Sequence, residues 1–381
     1  MIYILYIIIL ILFAFSYDFR SNKENVTSWQ IPYIFVCFAF IWLAAFRDQI
    51  GGDTIVYMNT WKKVPELADL THTYLEHSRY QRGFNFFFSA AKSISRNFII
   101  FQILHAIVIN WIIFWFVAKM TKFRFTTILL FFILNYLEFN TEILRESIAV
   151  CCGLLSFYNF SREYRFRGWF FIFLAFSFHI SAIVLLCLPL ATKIRYSNKV
   201  FGIFLGIIIF FLVLFPLIPD VTPILALLTN DAETLMQNYD IREINSNLNI
   251  KFYILFSFKC IIIPFTALKL IKNKCDRYIG LALIYVLFYS MSCFSYGFYR
   301  FANYFALFYT IFLSTALIDF IKRIKGDSII RITIYISLIC CFTYLVDGYL
   351  LGKNITTGEP LYARYFPYKT QFFDILIGNE E

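Results

Sequence analysis

Apolar residues run through this chain in blocks of about twenty, the length a helix needs to cross a hydrocarbon core. The blocks fall near 1–17, 30–46, 98–118, 124–140, 142–160, 199–218, 251–272, 277–297, 299–320 and 328–348, and a further apolar stretch covers 168–190. This pattern predicts an all-α fold, a polytopic integral membrane protein of about ten transmembrane helices forming one domain over 1–381. The first block resembles a signal peptide but has no basic leader and no clear small-residue cleavage site, so it is read as the first span.

Polar stretches between the blocks orient the chain. Basic clusters at Lys119, Lys122 and Arg124, at Arg162, Arg165 and Arg167, at Lys193, Arg195 and Lys199, at Lys269, Lys272, Lys274 and Arg277, and at Lys322, Arg323 and Lys325 belong on the cytoplasmic side. The loop 219–250, with Asp220, Asp231, Glu233, Asp240 and Glu243, then lies outside, together with 47–97 and the tail after 348. Stretch 168–190 resists this order, because basic clusters flank both of its ends. A re-entrant or broken helix turning near His179-Ile180-Ser181 reconciles them; a single tilted span that violates the charge rule is the alternative. Within 47–97, the aromatic run Phe84, Phe86, Phe87 and Phe88, between Arg82 and the basic pair Lys92 and Arg96, predicts an interfacial amphipathic helix.

Composition excludes other classes. With 60% hydrophobic and 15% charged residues, the chain has too little polar surface to cover a soluble core. The 49 Phe and 26 Tyr suit lipid-facing helices and interfacial belts. A net charge of +10 invites a nucleic-acid reading, but the basic residues sit in short clusters between apolar runs, which orients a membrane protein and forms no phosphate groove. The nine Cys lie mostly within apolar runs and imply no disulfide framework.

Charges near membrane depth are costly and mark candidate chemistry. Four places stand out. In Arg47-Asp48-Gln49-Ile50-Gly51-Gly52-Asp53-Thr54, followed by Tyr57 and Trp61, the glycines permit a tight turn, and Asp53 can act as a base or bind sugar hydroxyls; a helix cap is the simpler reading. Arg145 lies beside Glu142 and Glu146, and either grips a phosphate or forms an intramembrane salt bridge. His179 sits at the expected helix break, as a base, a donor or a structural residue. Arg300, within Tyr296 to Tyr304, either binds an anion or snorkels among tyrosines. The topology places Arg47, Asp53, Arg145 and Arg300 at the outer boundary, with His179 pointing toward it, although none of them was used to assign sides. Such a set suits an anionic, phosphate-bearing lipid. Walker A and Rossmann glycine patterns, HExxH and DxD pairs are absent, so the expected chemistry uses no cofactor and no metal.

These segments resemble the EpsG family, a Wzy-like group of exopolysaccharide and O-antigen polymerases. The resemblance rests on Arg47, Gly52, Asp53 and Tyr57, on Arg145 to Ala149, on Phe178, His179, Ser181 and Ala182, on Arg300 and Tyr304, and on the ending Tyr365-Phe366-Pro367-Tyr368. It departs from the family where an acidic residue often precedes a Gly-aromatic pair; here the run is Tyr80-Gln81-Arg82-Gly83-Phe84, and the nearest acid upstream is Glu76. The resemblance implies a multi-pass protein of a bacterial plasma (inner) membrane that joins polyprenyl-diphosphate-linked oligosaccharides at the outer leaflet. It would work beside a flippase and a chain-length regulator, and without nucleic acid. Arg145 and Arg300, with Arg47 as a third, would hold the diphosphate. Gly52, Tyr57 and Tyr304 would contact glycan, and His179 or Asp53 would activate the acceptor hydroxyl. A polyprenyl-phosphate-sugar-dependent glycosyltransferase and a flippase for lipid-linked glycans remain alternatives.

Overall fold

The computed structural model describes residues 2–19, 29–193, 197–214, 254, 256–272, 277–292, 296–325, 327–346 and 364–372. The expected outer loop 219–250 falls outside the described residues, as do Arg195, Lys274 and positions 347–363. Every described element is helical, apart from an isolated bridge between Arg47 and Thr370. In order these are α1 (Ile2–Phe13), α2 (Gln30–Ala45), α3 (Gly52–Trp61), α4 (His72–His77), α5 (Arg82–Ile94), α6 (Ile99–Met120), α7 (Arg124–Phe131), α8 (Leu137–Thr141), α9 (Leu144–Ser161) and α10 (Arg165–Phe178). There follow a 3-10 stretch, Ile180–Cys187, and the helices Leu188–Ala191, Asn198–Leu214, Ile263–Leu270, Arg277–Met291, Tyr296–Asn303, Ala306–Ile321 and Ser328–Val346.

Where their residues are described, the apolar blocks are helical, yet length separates them. Among the described residues one helix, Ile99–Met120, is by itself long and apolar enough to cross a membrane. A bent pair, Gly297–Asn303 with Ala306–Ile321, passes the same test jointly. Six other apolar helices have 10–17 residues, roughly 15–26 Å at 1.5 Å per residue and short of a ~30 Å hydrocarbon core. Among the described residues, helix length therefore does not carry the count of about ten full spans.

The chain divides into two compact units, one of residues 1–151, 177–179 and 327–381, the other of 152–176 and 180–326. In the first unit α2 packs along α6, and phenol hydroxyls staple helices together through backbone carbonyls. Tyr33 donates to Phe114 O at 2.8 Å, Tyr136 to Phe40 O at 2.6 Å and Tyr6 to Ala39 O at 2.7 Å. Phe40 is fully buried, with Tyr6, Phe114, Phe132 and Tyr136 at ring separations of 4.8 to 5.8 Å. A buried Tyr must find an acceptor for its hydroxyl, and here it finds the neighbouring helix. Part of the aromatic content expected to face lipid is thus core.

Helix α6 buries three polar residues, Gln102, His105 and Asn110. Asn110 donates to Asn140 Oδ1 at 2.9 Å, and His105 Nε2 meets Leu144 O at 3.0 Å and Ser147 Oγ at 3.1 Å. These contacts pin the start of α9 to the longest span, in surroundings where the alternative is an unpaired polar group. Replacing His105 with Ala should lower stability by about 2 kcal/mol, through lost hydrogen bonds and a small cavity. Thermal unfolding in detergent would read this, and an unchanged midpoint would show that the anchor carries no stability.

In the second unit the span expected at 299–320 is bent by 58°. The break falls at Tyr304 and Phe305, where Phe305 N donates to Ala302 O in a tight four-residue turn. The Tyr304 hydroxyl lies 3.0 Å from Ser181 Oγ, both groups being buried, so the bend is tied to the 3-10 stretch.

Candidate functional site

The site is built from the first outer loop, whose path is set by a distant part of the chain. Beyond α2, Asp48 N donates to Lys369 O at 3.0 Å, Gln371 N to Phe46 O at 3.0 Å and Gly51 N to Arg364 O at 3.2 Å. Gln371 Nε2 adds a bond to Asp48 Oδ1 at 2.9 Å. The segment Arg364–Gln371 therefore holds the loop in place. Gly51 has φ +94°, and a Cβ there would lie 2.6 Å from Thr141 Cβ, so the turn admits only glycine without strain.

Helix α3 begins at once. Its first free N–H groups are met by Glu142, which accepts from Gly52 N at 2.9 Å and Asp53 N at 3.4 Å. The same carboxylate accepts from the Tyr365 hydroxyl at 2.7 Å and has Arg364 Nη1 at 3.9 Å. A carboxylate opposite a helix N-terminus completes both its unpaired donors and its dipole. Burial and the Glu142 charge together keep the Tyr365 phenol protonated. The Gly52 amide, expected to meet a glycan, is thus already engaged.

Asp53 and Tyr57 are four residues apart and share a face of α3. Asp53 is exposed, and Tyr57 is buried. Arg145, in the first turn of α9, donates through Nε to the Tyr57 hydroxyl at 3.1 Å and through Nη1 to Gln81 Oε1 at 3.2 Å. Its guanidinium also lies 4.6 Å from the Tyr80 ring centre. Burial pushes the Tyr57 phenol up to about 12 against the pull of Arg145, so it remains a hydroxyl at neutral pH. The salt bridge expected from Arg145 to Glu142 or Glu146 is not formed. Among the described residues no carboxylate pairs with Arg145, because Glu142 faces the start of α3. The half-buried guanidinium is held by two neutral acceptors and an aromatic face, and these two bonds use two of its five N–H donors.

A family model for EpsG matches residues 30–370, and so includes this whole cluster. The chain belongs to the EpsG family. Neither a curated protein nor a solved structure matches it. EpsG-family membership points to polysaccharide biosynthesis at a membrane.

In this EpsG-family chain the other expected residues are distributed unevenly. His179 is buried and stands between the end of α10 and the 3-10 stretch, so the helix breaks there. Two residues earlier, Ser177 packs on Gly83, where a Cβ would meet Ser177 Oγ at 2.2 Å. Gly83 is two residues beyond Gln81, the partner of Arg145, and Ser177–His179 belong to the same unit as both. Arg300 and Tyr304 belong to the second unit. Arg47, expected as a third diphosphate ligand, lies inside the protein. Only 1% of it is exposed, its Nη1 donates to Ala44 O, and its Nε and Nη2 have no hydrogen-bond partner. A guanidinium sealed in this way cannot meet a substrate at the surface. Helix α5 is amphipathic as expected, but its Phe84 and Phe88 pack on Tyr57, Trp61 and Phe101 inside the protein.

Sequence reasoning overlooked His105, Tyr80, Gln81 and Arg364. His105 was the one with a signal, an ionisable residue inside a 22-residue apolar helix.

Proposed function

We propose that the chain polymerises polyprenyl-diphosphate-linked oligosaccharide repeats at the outer leaflet of a bacterial plasma membrane, as a metal-independent glycosyltransferase. The observation that supports this most directly is Arg145, a guanidinium with neutral partners beside an exposed Asp53. In this reading the growing chain leaves its polyprenyl diphosphate as the acceptor hydroxyl of the incoming repeat attacks the anomeric carbon. One C–O bond to phosphate breaks and one glycosidic C–O bond forms. The hydroxyl proton passes to a base, and the charge released on the diphosphate is stabilised by fixed donors. Arg145 is the first of these donors, and Arg300 serves the same ligand class. His179 suits the proton step because an imidazole titrates near neutral pH, whereas Asp53 suits orientation of the acceptor through hydrogen bonds. Tyr57 and Tyr304 are each assigned to glycan contact. A flippase and a chain-length regulator are the partners of such a reaction.

Purified protein reconstituted with the lipid-linked repeat tests this. Products at whole multiples of the repeat mass, with free polyprenyl diphosphate released, are expected. Addition of a single sugar would point instead to a monosaccharide transferase, and movement across vesicles without new products to a flippase. His179→Ala and Asp53→Ala should each slow product formation by roughly 10²-fold or more; wild-type rates in both would remove them from the mechanism.

A further inference from the structure

Glu142 precedes Arg145 by three residues, a stretch of chain that spans at most about 11 Å, so the two side chains are within reach of each other. Among the described residues they do not pair. Each reaches α3 instead, at a different height. Glu142 Oε1 accepts from Gly52 N at 2.9 Å, whereas Arg145 Nε donates to the Tyr57 hydroxyl at 3.1 Å. Gly52 and Tyr57 are separated by roughly 7.5 Å along the helix axis, at 1.5 Å per residue. Helix α3 thus acts as a spacer between opposite charges. A carboxylate this near a half-buried guanidinium would ordinarily turn to it, because hydrogen bonds between ionised groups are the strong ones.

What keeps Glu142 on α3 comes from the other end of the chain. The Tyr365 hydroxyl donates to Glu142 Oε1 at 2.7 Å, the shortest of the bonds to that carboxylate, and Arg364 Nη1 lies 3.9 Å from the same oxygen. These two residues are themselves held. Tyr365 O accepts from the Tyr3 hydroxyl at 3.2 Å, and Arg364 O accepts from Gly51 N at 3.2 Å. Gly52 makes room for the arrangement, since a Cβ there would lie 3.0 Å from Arg364 Nη1 and 3.1 Å from Glu142 Oε2. We propose that Tyr365, with Arg364, is a positioning residue that sorts these charges: it holds the Glu142 carboxylate at the start of α3 and so leaves the Arg145 guanidinium to the phosphate groups of a lipid-linked substrate. The identity of that anion rests on the polymerase reading of the Arg145 site. Once released from Tyr365, the Glu142 carboxylate competes for Arg145 from within the chain, and an incoming anion must displace it. Tyr57 and Gln81 fit the same scheme, because both orient the guanidinium with uncharged oxygens.

Calorimetric titration of the full-length protein in detergent, with inorganic pyrophosphate as the probe, tests the sorting. Tyr365→Phe keeps the ring and removes only the hydroxyl, and should weaken pyrophosphate binding about tenfold. Glu142→Gln keeps an oxygen for Gly52 N but carries no charge. In the double variant Tyr365→Phe/Glu142→Gln, affinity should return to within about twofold of wild type. A tail that merely braced the loop would give the opposite result, since a second change in the brace would deepen the loss. Wild-type affinity in Tyr365→Phe, or a loss that Glu142→Gln does not relieve, would overturn the proposal. Reaction of Arg145 with phenylglyoxal, followed by mass spectrometry of its peptide, reads the same pairing without a ligand. Its rate should fall about fivefold in Tyr365→Phe and recover in the double variant. If the rates follow this pattern but wild type binds no pyrophosphate, or Arg145→Ala binds it as wild type does, the polymerase reading of the site falls while the sorting of charges stands. Equal rates in wild type, Tyr365→Phe and the double variant would overturn the sorting itself.

Discussion

Arg145→Ala should abolish the high-mass polysaccharide ladder while single-repeat lipid-linked glycan accumulates. The side chain is half-buried, fixed by Tyr57 and Gln81, and pairs with no carboxylate among the described residues, so its removal deletes a preorganised positive charge. Loss of one preorganised donor to charge developing on a leaving group costs roughly 10²–10³ in rate. The structural cost is smaller. Tyr57 can still donate its own proton, and Gln81 loses one bond of about 1 kcal/mol, so the protein should still reach the membrane at normal levels. Arg145→Lys keeps the charge but cannot reach Tyr57 and Gln81 together in a planar fork, and should lose roughly tenfold. Gel analysis of surface polysaccharide from cells carrying each variant, with membrane levels checked, reads both. A normal ladder in Arg145→Ala would mean that this arginine holds α3 and α5 together and does nothing more.

Gly51→Ala should be nearly as damaging, for a different reason. At φ +94° an L-residue is strained by about 1–2 kcal/mol before any contact is counted. The added methyl would also sit 2.6 Å from Thr141 Cβ and 2.7 Å from Thr141 O, at the end of α8. Either the loop or α8 must move, and both movements pull Glu142 away from the start of α3, displacing Asp53 and Tyr57. A loss of about 2–4 kcal/mol in stability is expected, with little polymer formed. Thermal unfolding of the purified variant measures the first and the ladder the second. A melting curve like that of wild type would show that the turn tolerates a side chain, and that the tail does not hold the loop as tightly as its bonds suggest.

The departure from the family pattern now has a physical content. The run before Gly83 and Phe84 lacks an acid, and the residue standing there, Gln81, accepts from Arg145 with a neutral amide. Where a carboxylate would cancel the guanidinium charge, the amide only orients it.

The periodicity of apolar blocks was enough to set helices along the chain, because in lipid every backbone polar group must be satisfied within its own segment. Charges inside those blocks were equally legible, since their burial is costly wherever they end up: Arg145, His179 and Arg300 stood out on that ground. The helix break at His179 was readable too, from basic clusters on both sides of one apolar stretch. Partnership was not. Whether Arg145 paired with Glu142 three residues away or with Gln81 sixty-four residues away depended on where α3 placed its N-terminus. That in turn depended on a tail segment more than 300 residues from the loop it braces. Arg47 shows the same divide. Its type and position suggested a surface ligand, and only the packing of the surrounding helices sealed it inside. Hydrophobic spacing is a local property and survives in one dimension. The company a charged group keeps is decided by long-range contacts, and these exist only once the chain has folded.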